Sequence, residues 1–195
     1  MSKKTYHHSD LKNALFKVCH KLLKNTDPTE ISLRLMAEKV GVSHAAIYRH
    51  FQDKDELLEM MAIYGFKRLI KAQKNAIKRE KTPERKFLKV GVAYIRFAIK
   101  NPNYYKNMFF IKRKNPSEEL NKVMIRSFSI LVSVCKIYLE DKGKLNDPKE
   151  FALMSWSLVH GYSDLYLETD YPKSEVVNKK SNPVQMGEDI LKNLF

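Results

Sequence analysis

The sequence predicts an all-α protein of about nine helices, with a three-helix helix-turn-helix domain over residues 1–55 and a larger helical domain over residues 56–195. Three observations predict it. Apolar residues recur at three- and four-residue steps along nearly the whole chain, the spacing of one helix face. Two short segments with that spacing flank Gly41-Val42-Ser43, a turn suited to the end of one helix and the start of another. No segment keeps the two-residue alternation of a strand.

Ser9 is placed to cap a first helix, whose apolar face runs through Leu11, Leu15, Val18 or Cys19, and Leu22. Asn25 to Thr29, with Pro28, breaks it. Ser32 caps the second helix, where Met36 and Val40 lie one turn apart with small Ala37 between them. Ser43 caps the third, where Ile47 and Phe51 repeat the four-residue step, so both short helices turn an apolar face to a shared core. Asp53, with Glu56 three residues on, opens a long fourth helix that carries Leu57, Met61 and Tyr64 and reaches about Arg79. Thr82-Pro83 starts a fifth helix (Phe87, Val90, Tyr94, Phe97), which stops before Asn101-Pro102. A short aromatic helix over Asn103 to Ile111 follows. Asn115-Pro116-Ser117 opens a seventh helix that runs to about Asp141, and Gly143 and Pro148 separate it from an eighth over about 149–168. A polar connector with Pro172 and Lys179-Lys180 leads to a last helix from Pro183 to Leu194.

The second helix of a helix-turn-helix enters the DNA major groove, its N-terminal residues meeting base edges. Ser43, His44 and Ala45 open that helix here and are the expected base readers. Tyr48, Arg49, His50 and Lys54 are expected to grip phosphates, which fixes register without reading sequence. Lys54 lies in the first turn of the fourth helix, where backbone N–H groups and the helix dipole favour an anion. Ser32 completes the set of expected DNA-contacting residues.

The pattern GVSxxxxYRHFxxKxEL, present as Gly41-Val42-Ser43, Tyr48-Arg49-His50-Phe51, Lys54 and Glu56-Leu57, resembles the TetR family of bacterial transcriptional regulators. The resemblance is close over residues 9–60. Beyond them it rests on helical architecture and on Trp156, His160 and Gly161, which look like the WxxxHG signature of one subgroup's C-terminal domain. It implies a regulator of double-stranded DNA with a small-molecule effector pocket among the fourth to eighth helices. It also implies a homodimer whose eighth and ninth helices form a four-helix bundle. At the place of His44 the family often shows longer or cationic residues, so base preference does not carry over.

In the larger domain Tyr94, Phe97, Tyr104, Tyr105, Phe109 and Phe110 fall within 17 positions. Such a cluster can line an apolar pocket whose phenolic hydroxyls orient a ligand, or can be plain core packing. The expected effector contacts are Met61, Tyr64, Tyr94, Phe97, Tyr105, Met108, Phe109, Trp156 and His160, a set that suits a largely apolar or aromatic ligand. The fourth helix, which begins beside the DNA reader, would carry the signal. One short recognition helix reaches few base pairs, so a palindromic operator and a homodimer are expected. Gly161, Tyr162 and Leu165 on the eighth helix and Gly187, Ile190, Leu191 and Leu194 on the last are the expected subunit contacts.

The formal net charge of +14 suits a polyanionic partner. It is not concentrated in the reading head: residues 1–80 carry 16 Lys/Arg against 9 Asp/Glu, and residues 81–195 carry 20 against 13. The stripe of Lys67, Lys71, Lys74 and Lys78 reads as a solvated helix face. Cys19 and Cys135 stand alone, as buried thiols of a reducing cytoplasm do. No apolar run nears the roughly 20 residues of a membrane span. The apolar residues near the N-terminus are spaced rather than contiguous, unlike a signal peptide. A cytoplasmic protein without a membrane partner is therefore expected. No zinc-ligand spacing, phosphate loop or nucleophile elbow occurs, and Ser155 and Ser157 near His160 lack a third partner. No metal, cofactor or enzymatic activity is expected. Three other readings remain: a TetR-fold protein that binds DNA without small-molecule control, an enzyme with an accessory DNA-binding head, and a basic protein of lipid surfaces.

Overall fold

The computed structural model describes residues 8–169 and 182–194. Among them nine helices and no strand occur: α1 (His8–Leu22), α2 (Leu33–Val40), α3 (His44–Tyr48), α4 (Lys54–Ile77), α5 (Pro83–Lys100), α6 (Pro102–Phe109), α7 (Glu118–Asp141), α8 (Pro148–Glu168) and α9 (Pro183–Leu194). The chain divides into two compact units. The first joins Met1–Gly65 to Asn103–Leu120, and the second joins Phe66–Pro102 to Asn121–Phe195. The expected connector with Pro172 and Lys179-Lys180 lies outside the described residues.

In the first unit α1 packs on α2 and α2 on α3. Ser9 lies inside α1 rather than ahead of it. The buried stripe of α1 runs Leu11, Leu15 and Cys19 and continues to Leu23 just past the helix, so Cys19 rather than Val18, and Leu23 rather than Leu22, completes it. Four-residue steps keep that stripe in phase with the core, whereas Val18 and Leu22 fall toward its edge. Ser32 has extended backbone and its Oγ accepts the Leu35 N–H at 3.1 Å, which starts α2. Gly41 ends α2 with φ +77°, and its N–H reaches the Ala37 and Glu38 carbonyls while Val42 N–H returns to Ala37. A side chain in that left-handed conformation is strained, so glycine is the residue this sharp turn needs. Ser43 then opens α3 through Oγ, which accepts from Ala46 N–H. Asp53 Oδ1 accepts the Glu56 N–H, and Glu56 Oε2 reaches back to Gln52 N–H, a reciprocal cap that fixes the start of α4. Met36, Ile47, Phe51, Leu57, Leu58 and Met61 are fully buried and form the core these caps close over.

In the second unit α5 is the central helix, packed by α8 and α9. Val90, Val92, Ala93, Tyr94, Ile95, Phe97 and Ala98 are all buried on it. Thr82 caps α5 through Oγ1, and Asp147 caps α8 through Oδ1, which accepts from Lys149 and Glu150 N–H. Phe87, Tyr138 and Phe151 form a ring cluster with centroids 4.7 to 6.0 Å apart, surrounded by Val90, Leu131, Val134 and Cys135. Desolvation raises the Cys19 and Cys135 thiols to about 12, which leaves both unreactive at neutral pH. Among the described residues no helix is long and apolar enough to cross a membrane.

Candidate nucleic-acid interface

The recognition helix α3 has only five residues. Its single buried side chain, Ile47, roots it in the core and turns the rest outward. Ser43, His44, Ala45 and Arg49 are exposed and Tyr48 is 61 % exposed, whereas His50 is half-buried. Ser32 is exposed at the start of α2. Because Ser32 and Ser43 use Oγ as an acceptor for the helix, each hydroxyl proton remains to donate to a phosphate. Lys54 is different. Its Nζ donates to the Thr29 carbonyl and ties the start of α4 to the turn before α2. Asp53, Asp55 and Glu56 are exposed around it. Those carboxylates suit the positive end of the helix dipole and limit how closely phosphate can approach there.

Helix α6 braces this head within the first unit. Lys106 Nζ meets Asp27 Oδ2 at 2.6 Å, and Thr29 donates to the same carboxylate, which holds Asp27 down at about 2. His20 Nδ1 lies 2.6 Å from Tyr104 Oη, and the Tyr64 ring meets His20 and Phe16 edge-on. Fully buried Asn107 donates from Nδ2 to the Leu58 carbonyl. Arg113 Nη2 donates to that same carbonyl, to Asn107 O and to Asn107 Oδ1. Burial lowers the pKa of the Arg113 guanidinium, against the pull of Glu59 and Asp55.

The expected effector residues divide between the units. Met61, Tyr64, Tyr105, Met108 and Phe109 belong to the first. There Met61, Tyr105 and Met108 are buried, and Tyr105 packs on Phe109 and Phe110. Tyr94, Phe97, Trp156 and His160 belong to the second. Tyr94, Trp156 and His160 come together: Tyr94 Oη lies 2.6 Å from His160 Nδ1, and the Trp156 ring stands edge-on to His160 at 5.5 Å. Phe97, one turn along α5 from Tyr94, has the Arg68 guanidinium 6.0 Å from its ring.

The expected subunit contacts also part ways. Among the described residues a Cβ on Gly161 would meet nothing within 4 Å, and Leu165 is exposed. Gly187 is closed in: a Cβ there would lie 2.7 Å from Ile95 Cδ1 and 2.9 Å from Tyr162 Cε1. Leu191 is buried in the same seam, because α9 lies along α5 of its own chain. Tyr162 donates to the Pro183 carbonyl, and Ile190 is half-buried. The Leu194 side chain lies outside the described residues.

Residues 12–61 match the family model described as bacterial regulatory proteins, tetR family, and residues 87–178 match that of the tetracyclin repressor-like C-terminal domain. The chain belongs to the TetR family. It is therefore a DNA-binding transcriptional regulator, from a family of regulators and not of enzymes. No curated protein matches it. Solved structures share the TetR fold at low identity. A protein of unknown function from Rhodococcus sp. RHA1 is 22 % identical with a TM-score of 0.79, covering 98 % of this chain and 96 % of its own. A TetR/AcrR-family regulator from Thermobifida fusca is 17 % identical with a TM-score of 0.70, over 95 % and 98 %. The regulator FadR from Bacillus subtilis, solved with stearoyl-CoA, is 13 % identical with a TM-score of 0.72, over 93 % and 96 %.

Several residues that shape this TetR head escaped the sequence reading: Phe16, His20, Asp27, Asn107 and Arg113. Phe16 and His20 sit four apart, a helix-face spacing that could have flagged them. Arg113 lies in a loop and Asn107 carries no periodic signal, so neither role is visible before the chain folds.

Proposed function

We propose that this TetR-family chain is a homodimeric repressor of a palindromic operator. A small, largely apolar or aromatic effector, bound beside Tyr94, Trp156 and His160, would release it. The observation that carries the first part is the brevity of α3. Five residues rooted by Ile47 reach few base pairs, and two heads on repeated half-sites supply the affinity that one lacks. Ser43, His44 and Ala45 read base edges, while Ser32, Tyr48, Arg49, His50 and Lys54 hold the backbone. Along α8 the exposed apolar residues Leu153, Met154 and Leu165 flank the open Gly161, a surface suited to a second copy. Gly187 and Leu191 then support the dimer from within, by seating α9 on α5.

The effector reading rests on the Tyr94–His160 pair, a polar contact set among rings. The Bacillus subtilis neighbour, which binds stearoyl-CoA, makes long-chain acyl-CoA thioesters the first compounds to test. Gel shifts with the DNA flanking the gene, with and without acyl-CoA or cell extract, check the whole reading. A retarded band that the extract dissolves, and raised transcription of the flanking gene when the protein is deleted, are expected. If no compound or extract alters a robust shift, control by a small molecule is wrong.

A further inference from the structure

We propose that the loop between α6 and α7 is an auxiliary phosphate clamp, in which Lys112 and Lys114 grip the DNA backbone beside the half-site and Arg113 holds them in place. This rests on the DNA reading of the helix-turn-helix head.

The loop belongs to the same compact unit as the head. Its middle and its far end are pinned to one stretch of α4. In the middle, Arg113 Nη2 donates to the Leu58 carbonyl and to Asn107, and Nη1 donates to Ile111 O. At the far end, Ser117 N–H donates to the Glu59 carboxylate at 3.2 and 3.3 Å. Leu58 is four residues from Lys54, about 6 Å along the helix axis. The loop is thus attached within about a turn of the end of α4 that follows the recognition helix.

Arg113 is used up as an anchor. Its hydrogen bonds go to carbonyl and amide oxygens rather than to a carboxylate, and its Nε is buried with no partner among the described residues. A partly buried guanidinium with an unmatched donor is a costly way to tie down a surface loop. The two residues beside it explain the arrangement. Lys112 and Lys114 are exposed and take part in no ion pair among the described residues. Helix α6 is itself held to the head by the Lys106–Asp27 and Tyr104–His20 contacts. The lysines are therefore presented from a braced support, and an anchored loop gives up little conformational freedom when it binds.

The partner that fits is duplex DNA. Near it, Asp53, Asp55 and Glu56 weaken the phosphate affinity of the α4 terminus, and two further cations offset them. Recognition of anionic lipid uses clusters of about four to eight cations, and this loop has two exposed ones.

The test compares Lys112→Gln/Lys114→Gln with Lys71→Gln/Lys74→Gln, which removes the same charge from the exposed face of α4. Arg49→Ala serves as the reading-head variant. Each full-length protein is titrated by fluorescence anisotropy into a labelled mixed-sequence duplex, with NaCl from about 50 to about 200 mM. The loop variant should flatten the slope of log K against log salt by about 0.9 for each lost phosphate contact, so up to about 1.8 per subunit. The α4 control should leave the slope near that of the wild type. An unchanged slope for the loop variant, while Arg49→Ala loses binding, overturns the clamp and leaves the head assignment standing. Equal effects of the loop and control variants also overturn it, since they indicate only overall charge. Loss of binding to phosphatidylserine vesicles without loss of DNA binding would reassign the loop to lipid. If Arg49→Ala and the loop variant both bind as the wild type does, the reading of the head falls and the clamp falls with it.

Discussion

Tyr94 Oη lies 2.6 Å from His160 Nδ1, joining α5 to α8 inside the second unit. Trp156 stands edge-on to the same imidazole, and Phe128 packs on Trp156 with ring centroids 5.9 Å apart. Burial pushes the pKa of His160 below its ordinary value, with Asp164 pulling it the other way. A neutral imidazole with its proton on Nε2 accepts the Tyr94 proton at Nδ1. A protonated ring cannot accept there, and it sets a charge among aromatic faces and edges.

The first prediction concerns acid stability near neutral pH. The folded pKa of His160 is depressed, so the unfolded chain takes up the proton first. The stabilisation is present above the ordinary value of 6.5 and is lost as pH falls through the lower folded value. Thermal melts from about pH 7.5 to about pH 5 should show a fall in Tm that His160→Gln lacks. Matching slopes for wild type and variant would show that His160 carries none of it.

Gly161 and Gly187 should answer alanine differently. Both lie inside helices, where alanine is favoured over glycine by about 1 kcal/mol. At Gly187 the new methyl must displace Ile95 or the Tyr162 ring, and overpacking of that kind costs about 1–3 kcal/mol. Gly187→Ala should therefore lower the urea midpoint. Among the described residues nothing meets a methyl at Gly161, so on the dimer reading a cost of Gly161→Ala comes from a second subunit. The dimer proposal expects Gly161→Ala to raise the dimer dissociation constant in sedimentation. A more stable protein with unchanged association would mean that this face of α8 meets solvent.

His44 sits exposed in the first turn of the recognition helix. His44→Ala should relax base preference at one or two operator positions and lose about 1–3 kcal/mol at the matching base. Selection of bound sequences from a random pool measures this directly. An unchanged consensus would remove His44 from the base readers.

Lys54→Ala should instead weaken all duplexes nearly equally, flattening the salt slope by about 0.9 for the phosphate it releases. Its tether to the Thr29 carbonyl adds a second effect, a modest loss of stability in the α1–α2 turn. Were sequence preference to change with the salt slope intact, Lys54 would belong among the base readers.

Asp27 ties the same turn to α6. Lys106 and Thr29 hold its carboxyl near 2, against an ordinary value of 3.8. The stabilisation it supplies is complete above 3.8 and disappears as pH falls toward about 2. Comparing urea midpoints at about pH 5 and about pH 3, Asp27→Asn should lose less than the wild type, having lost its share already. An equal loss would place the acid sensitivity elsewhere.

What the sequence by itself determined was local. Ser32, Gly41, Ser43, Asp53 and Thr82 act on backbone groups within four residues, so their helix-starting and helix-ending roles can be read directly. The exposed face of α3 follows in the same way once Ile47 and Phe51 take the core side. Membership of Asn103–Leu120 in the compact unit of the head was not legible. It depends on Lys106 meeting Asp27 and on Asn107 and Arg113 converging on Leu58, contacts between residues about 50 to 80 positions apart. Nor could periodicity divide one run of aromatics between two units, or show that Gly187 meets Ile95 inside the chain. An apolar face announces that it will be buried. Which surface buries it depends on the shape of every other helix, and only the folded chain decides that.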